Sequence, residues 1–366
     1  MNHIQMKIAV FHLFNDYSGS PKVLKTVLTG LLRKGCPIDI LTSRGGVLDE
    51  LQGTNLRQYH YSYHFSTNPV VTMLRYTYAQ FYMFFFSWRY LFKKDIVFYI
   101  NTILPVGAAL AGRLTGKRVI YHYHENSFAK SGFYRGLAWA MTHLASDIIC
   151  VSEFQKSHLD RVERVHVIPN ALPDTFVKRF EFNPSSAFSK QCVLMVASLK
   201  KYKGVTQFCE LSKQLPQFKF VMVVNDEPKT IDEFLKENNI ALGDNIKIYP
   251  RQDDVAPFYA NASMVLNLTD ANMAVETFGL TALEAMSAGL PVIVPTKGGV
   301  AEMVEDDTNG YKIDVKELDK IENKITTILT DYTLYESLSE SAYKKSKNYS
   351  EETINEMISS IVWIEK

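Results

Sequence analysis

The chain has 366 residues, of which 46% are hydrophobic and 22% charged, and a net charge of +1. That length exceeds one ordinary core and predicts two domains, while the composition excludes a disordered or fibrous chain. Four scattered cysteines (Cys36, Cys150, Cys192, Cys209) without a CxxC pair argue against a disulfide framework and a structural zinc site, and favour a reducing compartment.

Residues 1–6 (MNHIQM) are polar, and the apolar run Ile8–Phe14 is short and broken by His12, so no secretory signal is expected. The first half then reads as alternating strands and helices. Strands are predicted at Lys7–Phe11, Ile38–Thr42, Ile96–Ile100, Arg118–Tyr121, Ile148–Val151 and Val165–Ile168, each rich in Val, Ile or aromatics. A helix over Pro21–Lys34 is predicted with Ser20 as its cap and Gly35 as its stop. Alternation of this kind implies parallel sheets covered on both faces.

Leu74–Lys94 mixes aromatics with Arg75, Arg89, Lys93 and Lys94. Two readings are open: a basic aromatic helix lying in a membrane interface, or an apolar helix buried in its own domain. The run Phe81–Phe92 contains Arg89 and is shorter than the roughly 20 residues a spanning helix needs. Residues 171–190 break the rhythm with prolines and serines and read as a linker. Beyond it, strands are predicted at Cys192–Val196, Phe218–Val224, Ile246–Ile248, Met264–Leu268 and Pro291–Val294. Helices are predicted from Gly204, near Lys229–Glu237 and over Ser350–Trp363.

Charge is unevenly divided. Residues 1–180 hold 21 Lys+Arg and 11 Asp+Glu, leaving 19 and 28 to the rest, and all nine histidines lie in the first half. Either the first half meets an anionic partner, such as phospholipid or a phosphate-bearing acceptor, or two domains merely differ in surface composition. A nucleic acid is not expected.

The segment Glu276–Gly299 carries the chemistry. A helix should open near Gly279–Leu280 and stop at Gly289, with Glu276 before it and Glu284 inside its second turn. Its amino terminus offers backbone N–H groups and the positive end of the dipole, a seat for a diphosphate. The first carboxylate can accept hydrogen bonds from sugar hydroxyls and the second can hold a ribose; by spacing alone the pair reads equally as a surface Glu284 and a Glu276 that only complements the helix dipole. Val196–Gly204 (VASLKKYKG) adds a lysine-rich loop between a strand and a helix start. Tyr121–Ser127 (YHYHENS) places His122 and His124 at a strand end, on the same side of the strand by alternation. GxGxxG is absent, which removes support for a nicotinamide dehydrogenase, and no HExxH occurs.

The E-x7-E run with Phe-Gly after its first glutamate, continued by EAMSAGLPVIVPTKGGVAEMVEDDTNGY, resembles the signature of glycosyltransferase family 4, a retaining family. The resemblance implies an α/β GT-B fold, two facing Rossmann-like doubly wound parallel-sheet domains with an interdomain cleft. The implied division is an acceptor-binding domain over 1–178, a linker over 179–190, a nucleotide-sugar-binding domain over 191–349, and a helix over 350–366 returning to the first domain.

It further implies that Glu276 contacts the donor sugar, Glu284 the nucleotide ribose, and the backbone of Phe278, Gly279, Leu280 and Thr281 the diphosphate. Lys203 matches the family lysine, whereas Ser198 stands where the family carries arginine; Lys200 or Lys201 compensates, or the leaving group leans on Lys203 and the helix end. His124 is the best match to a histidine near the donor sugar, with His122 not separable from it. Gly19 occupies the loop that approaches the donor phosphate, Arg251 and Gln252 the loop near the base, and Asn101, with His122, the acceptor side. No D-x-D occurs, so lysines and backbone dipoles supply the positive charge, and no metal or cofactor is expected.

The implied reaction is metal-independent transfer from a UDP- or GDP-sugar to a saccharide or lipid-linked hydroxyl, in glycan synthesis. The leaving diphosphate accepts the acceptor proton. The implied location is cytoplasmic, with peripheral contact at the inner face of the membrane if Leu74–Lys94 is interfacial. A nucleotide-sugar epimerase or hydrolase on the same fold, and a non-catalytic sugar-nucleotide-binding subunit, are the alternatives.

Overall fold

A computed structural model describes residues 6–127, 132–160 and 163–363. The polar residues 1–5 and the last three residues of the expected returning helix lie outside the described residues. The chain divides into two compact units, Met1–Ala171 with Glu351–Lys366, and Leu172–Ser350.

The first unit is a seven-stranded parallel sheet of β1 (Lys7–Phe11), β2 (Ile38–Thr42), β3 (Leu56–His60), β4 (Ile96–Asn101), β5 (Arg118–Tyr123), β6 (Asp147–Cys150) and β7 (Val165–Val167). Its spatial order is β3-β2-β1-β4-β5-β6-β7. Every residue of β2 and β4 is buried, as their apolar runs require when helices cover both faces. Sequence reading finds no strand at β3, whose residues LRQYH are half-buried or exposed at the sheet edge. An edge strand lacks the apolar run that betrays a central one.

Helix α1 (Gly19–Arg33) starts earlier than predicted, with Ser18 at the N-cap, which corrects the assignment of Ser20 as cap. Gly35 follows the helix in the left-handed region at φ 80°. Helix α2 (Pro69–Ser87) is capped by Asn68, whose side chain accepts from the Val70 and Val71 N–H groups. It buries only Ala79, Met83 and Ser87, so neither reading of Leu74–Lys94 describes all of it: one face packs inward and the other is exposed. Helices α3 (Val106–Leu114) and α4 (Gly132–Leu144) complete this side. The C-terminal helix Glu351–Val362 buries Ile354 and Ile358 and is tied to α1 by the Arg33–Glu351 ion pair at 2.8 Å and a Lys34–Ser359 bond at 3.1 Å.

The second unit is a six-stranded parallel sheet of β8 (Cys192–Ala197), β9 (Lys219–Val224), β10 (Ile246–Tyr249), β11 (Met264–Leu266), β12 (Val292–Val294) and β13 (Gly310–Lys312), ordered β10-β9-β8-β11-β12-β13. Helices α5 (Val205–Gln214), α6 (Pro228–Glu237) and α7 (Leu280–Ser287) connect strands. The segment expected as a linker, 179–190, belongs to this unit instead. Asn183 caps a short helix, Pro184–Ser189, by accepting from the Ser186 N–H at 2.9 Å. Phe182 stacks on Tyr343 and Phe188 packs on Tyr335, so aromatic burial anchors a stretch whose serines read as loop.

In each sheet the strand order reverses beside its first strand, between β1 and β4 and between β8 and β11. Loops at the carboxyl ends of strands diverge at such reversals and leave room for ligands. No helix among the described residues is long and apolar enough to cross a membrane.

Candidate functional site

In the second unit the reversal brings together the loops after β8 and β11. Lys203 ends a single 3-10 turn after β8, and Gly204 caps α5 in the left-handed region at φ 76°. A Cβ there would collide with the Leu268 side chain and carbonyl, so only glycine lets the two loops close. Asp270 N–H donates to the Tyr202 carbonyl at 2.7 Å and stitches the same loops. After β11 the chain runs through Glu276 to Gly279, which caps α7 at φ 97° with its Cα against Val300. The Glu276 carbonyl accepts from the Gly299 N–H at 2.8 Å, so the backbone of Glu276 is fixed from the β12 loop as well.

This scaffold places the Lys203 ammonium on Oε1 of Glu276, both side chains half-buried. Thr269 Oγ1 lies 3.1 Å and Asn267 Nδ2 3.4 Å from the same oxygen. Burial alone would push the Glu276 carboxyl up. The Lys203 charge and the bonds from Lys203, Thr269 and Asn267 outweigh it and hold the carboxyl below its ordinary value. Glu276 is therefore an ionised acceptor, locked in one orientation beside the first turn of α7. That turn's leading N–H groups have no acceptor within the helix.

Glu284 lies on the next turn of α7, where Oε2 accepts from the Tyr259 hydroxyl at 2.5 Å. Burial and then the Glu284 charge push the Tyr259 hydroxyl well above its ordinary pKa, so it remains a donor. Phe278 is buried against Tyr349, whereas Leu280 and Thr281 are half-buried at the helix start. Ser198 is half-buried at the end of β8, and Lys200 and Lys201 are exposed; only Lys203 of the three lysines reaches Glu276. Arg251 is exposed beyond β10 with its guanidinium 3.5 Å from Glu227, and the Gln252 amide turns back onto the Pro250 carbonyl at 3.0 Å.

In the first unit the reversal gathers His12 after β1, Asn101 at the end of β4, and His122 and His124 on β5 and just beyond it. His12 Nε2 lies 2.9 Å from the Phe14 carbonyl and therefore donates, which leaves Nδ1 to accept from Asn101 Nδ2 at 3.1 Å. Asn101 Oδ1 in turn accepts from His124 Nε2 at 3.0 Å. The chain of bonds fixes both tautomers. His122 Nδ1 pairs with the Tyr99 hydroxyl at 2.7 Å, and its ring lies 4.1 Å from that of His124. Burial drives His12 down to about 4 and His122 to about 3. His124 is also lowered, by burial and then by its neighbours His122 and His12. All three imidazoles are neutral near pH 7.

Asn101 and His122 were expected to face an acceptor, but they are 0% and 1% exposed, and Asn101 spends both ends of its amide on histidines. The half-buried member of the His pair is His124. Gly19 is the exposed first residue of α1. Four participants escaped sequence reading: His12, Asn267, Thr269 and Tyr259. His12 carried a signal, a polar residue directly after the first strand; the others sit in stretches whose pattern is that of an ordinary strand end, loop or helix. Among the described residues, no group of three or more His, Cys, Asp or Glu is placed to hold a metal ion.

Comparison with known proteins follows the same division. Residues 178–345 match the family model described as Glycosyl transferases group 1, and residues 17–175 the model described as Glycosyltransferase Family 4. An uncharacterized glycosyltransferase of Methanocaldococcus jannaschii is 26% identical over 254 residues, 67% of this chain and 68% of that one. The poly(glycerol-phosphate) alpha-glucosyltransferase of Bacillus subtilis is 24% identical over 63% of this chain, a match spanning only 34% of that longer protein. Among solved structures, HepE of Anabaena in complex with UDP-glucose superposes with a TM-score of 0.78 at 19% identity, covering 98% of this chain and 99% of that one.

Proposed function

We propose, given that this chain belongs to the glycosyltransferases, group 1 in its second half and Family 4 in its first, that it is a retaining, metal-independent enzyme. Its donor is a nucleoside diphosphate sugar and its acceptor a hydroxyl of a saccharide or lipid-linked saccharide. The architecture is GT-B, two Rossmann-like parallel-sheet units. The observation that carries the reading is the Lys203–Glu276 pair at the β8/β11 reversal, beside the start of α7.

In this reading the donor pyrophosphate lies against the first N–H groups of α7, with Lys203 supplying the nearby cation. Charge that develops as the sugar bond breaks meets dipoles and an ammonium already in place, which lowers the barrier without reorganisation. Glu276, kept ionised, accepts from hydroxyls of the donor sugar. Glu284, oriented by Tyr259, accepts from the ribose. Arg251 and Gln252 lie at the base, while Ser198 lines the phosphate approach. His124 serves the donor-sugar side of the first unit, with Asn101 and His12 positioning its ring. Retention follows if the acceptor attacks the face the diphosphate leaves, handing its proton to a diphosphate oxygen. The UDP-glucose held by HepE supports a UDP-sugar as donor.

The test incubates the full chain with UDP-, GDP- and dTDP-sugars and saccharide acceptors, and follows transfer and anomeric configuration. Lys203→Ala and Glu276→Gln are expected to lower turnover about 10²- to 10³-fold with circular dichroism unchanged. Wild-type turnover in either variant, or an inverted product, overturns the reading.

A further inference from the structure

Helix α2 is apolar on both faces, and only one of them is covered. Helical periodicity puts Val70, Leu74, Phe81, Phe85 and Trp88 within an arc of about 60°. All five are exposed, from 47% for Trp88 to 68% for Phe85. The buried residues Ala79, Met83 and Ser87 lie on the opposite side of the helix. The stripe continues past the helix end to Phe92, which is 92% exposed. The turn that carries Phe92 is pinned by the buried side chain of Lys117, which donates to the carbonyls of Leu91, at 3.1 Å, and Lys93. Scattered exposed apolar residues are ordinary, but a continuous stripe of large ones marks an interaction surface.

Charge identifies the partner. Residues 51–146 contain ten Lys and Arg but only two acidic residues, Asp95 and Glu125. Arg75, Arg89, Lys93 and Lys94, on the helix and the turn that bear the stripe, are all exposed. The Arg89 guanidinium is held over Phe86 at 3.6 Å and Tyr59 at 4.6 Å, which fixes a cation beside the apolar surface. A second copy of this chain would set one such basic surface against another and pay like-charge repulsion. An anionic bilayer accepts both features at once, apolar side chains at the headgroup boundary and cations among the lipid phosphates.

We propose that α2 and the turn through Lys94 form an interfacial anchor that lies in the surface of an anionic membrane, with Phe81, Phe85, Trp88 and Phe92 inserted. The anchor does not depend on the transfer reaction: vesicle binding and turnover can each fail while the other persists.

The experiment is flotation of the full chain with vesicles of phosphatidylcholine alone and of phosphatidylcholine with about 30% phosphatidylglycerol. The chain is expected to float with the anionic vesicles and to be released by salt. The variant Phe85→Ser/Trp88→Ser/Phe92→Ser is expected to lower partitioning at least roughly tenfold. Its circular dichroism and melting temperature should be unchanged, because the replaced side chains are exposed. Lys93→Gln/Lys94→Gln is expected to weaken binding and flatten its salt dependence. Absence of flotation, or undiminished flotation of the triple variant, overturns the proposal. So does a dimer in sedimentation that the triple variant dissolves while no vesicle binding is seen, since that outcome assigns the stripe to a second copy.

Discussion

At the scale of single residues, buried imidazoles set a pH dependence. His12 and His122 have folded pKa values of about 4 and about 3, against roughly 6.5 for a free histidine. Between those limits the unfolded chain binds protons that the folded chain refuses. The stability they contribute is therefore complete above about pH 6.5 and drains away as pH falls toward about 4. Denaturant titration of the full chain should show the midpoint dropping between about pH 7 and pH 5, by roughly 2 kcal/mol for each imidazole at pH 5. His12→Asn should flatten that dependence. An unchanged slope would mean that the ring is hydrated and titrates normally. Glu276 acts on the acid side of the same curve: its lowered carboxyl stabilises above the free carboxylate range and loses that contribution as pH falls through the folded value.

Resemblance to a family signature singled out Glu276, Glu284 and Lys203, the glutamates through the E-x7-E run and the lysine through its place before Gly204. It could not reveal that Lys203 and Glu276 touch, since they lie on loops after different strands. Nor could it reveal that Asn101 binds two histidines. That role needs β1, β4 and β5 side by side, an arrangement set by sheet order rather than by any local pattern.

At the scale of elements, the functional loops depend on close backbone approach. Gly204→Ala must place a methyl group against Leu268 in a left-handed conformation, and should lower stability by about 2–4 kcal/mol. Gly116→Ala shares the left-handed backbone, φ 67°, but has nothing within 4 Å of the added carbon. It should cost only about 1 kcal/mol, the conformational penalty alone. Equal losses in thermal unfolding would show that the loop contact at Gly204 is not tight. The central strands were legible because burial on both faces writes continuous apolar runs. The edge strand β3 and the short β13 were not, because the first is polar and the second, Gly-Tyr-Lys, lacks the Val- and Ile-rich run that marks the other short strands.

At the scale of the whole molecule, the chain leaves its first unit after Ala171 and rejoins it at Glu351. The returning helix buries Ile354, Ile358, Ile361 and Val362, and the Asn355 amide lies so close to Gly30 that an added Cβ there would displace it. Removing residues 351–366 should destabilise the first unit by at least about 6 kcal/mol, read as an early thermal transition and loss of soluble protein. A truncated chain that melts like the intact one would show that α1 needs no cover.

The sequence by itself determined the α/β class, the pair of parallel sheets and the family of the second half, because strand and helix periodicity and a contiguous motif are local properties of a chain. Tertiary structure alone decided which ionisable groups meet, which of the two β5-end histidines is shielded, and that one apolar face of α2 goes uncovered. Those outcomes depend on strand order and packing between segments far apart in sequence, where no local pattern carries the information.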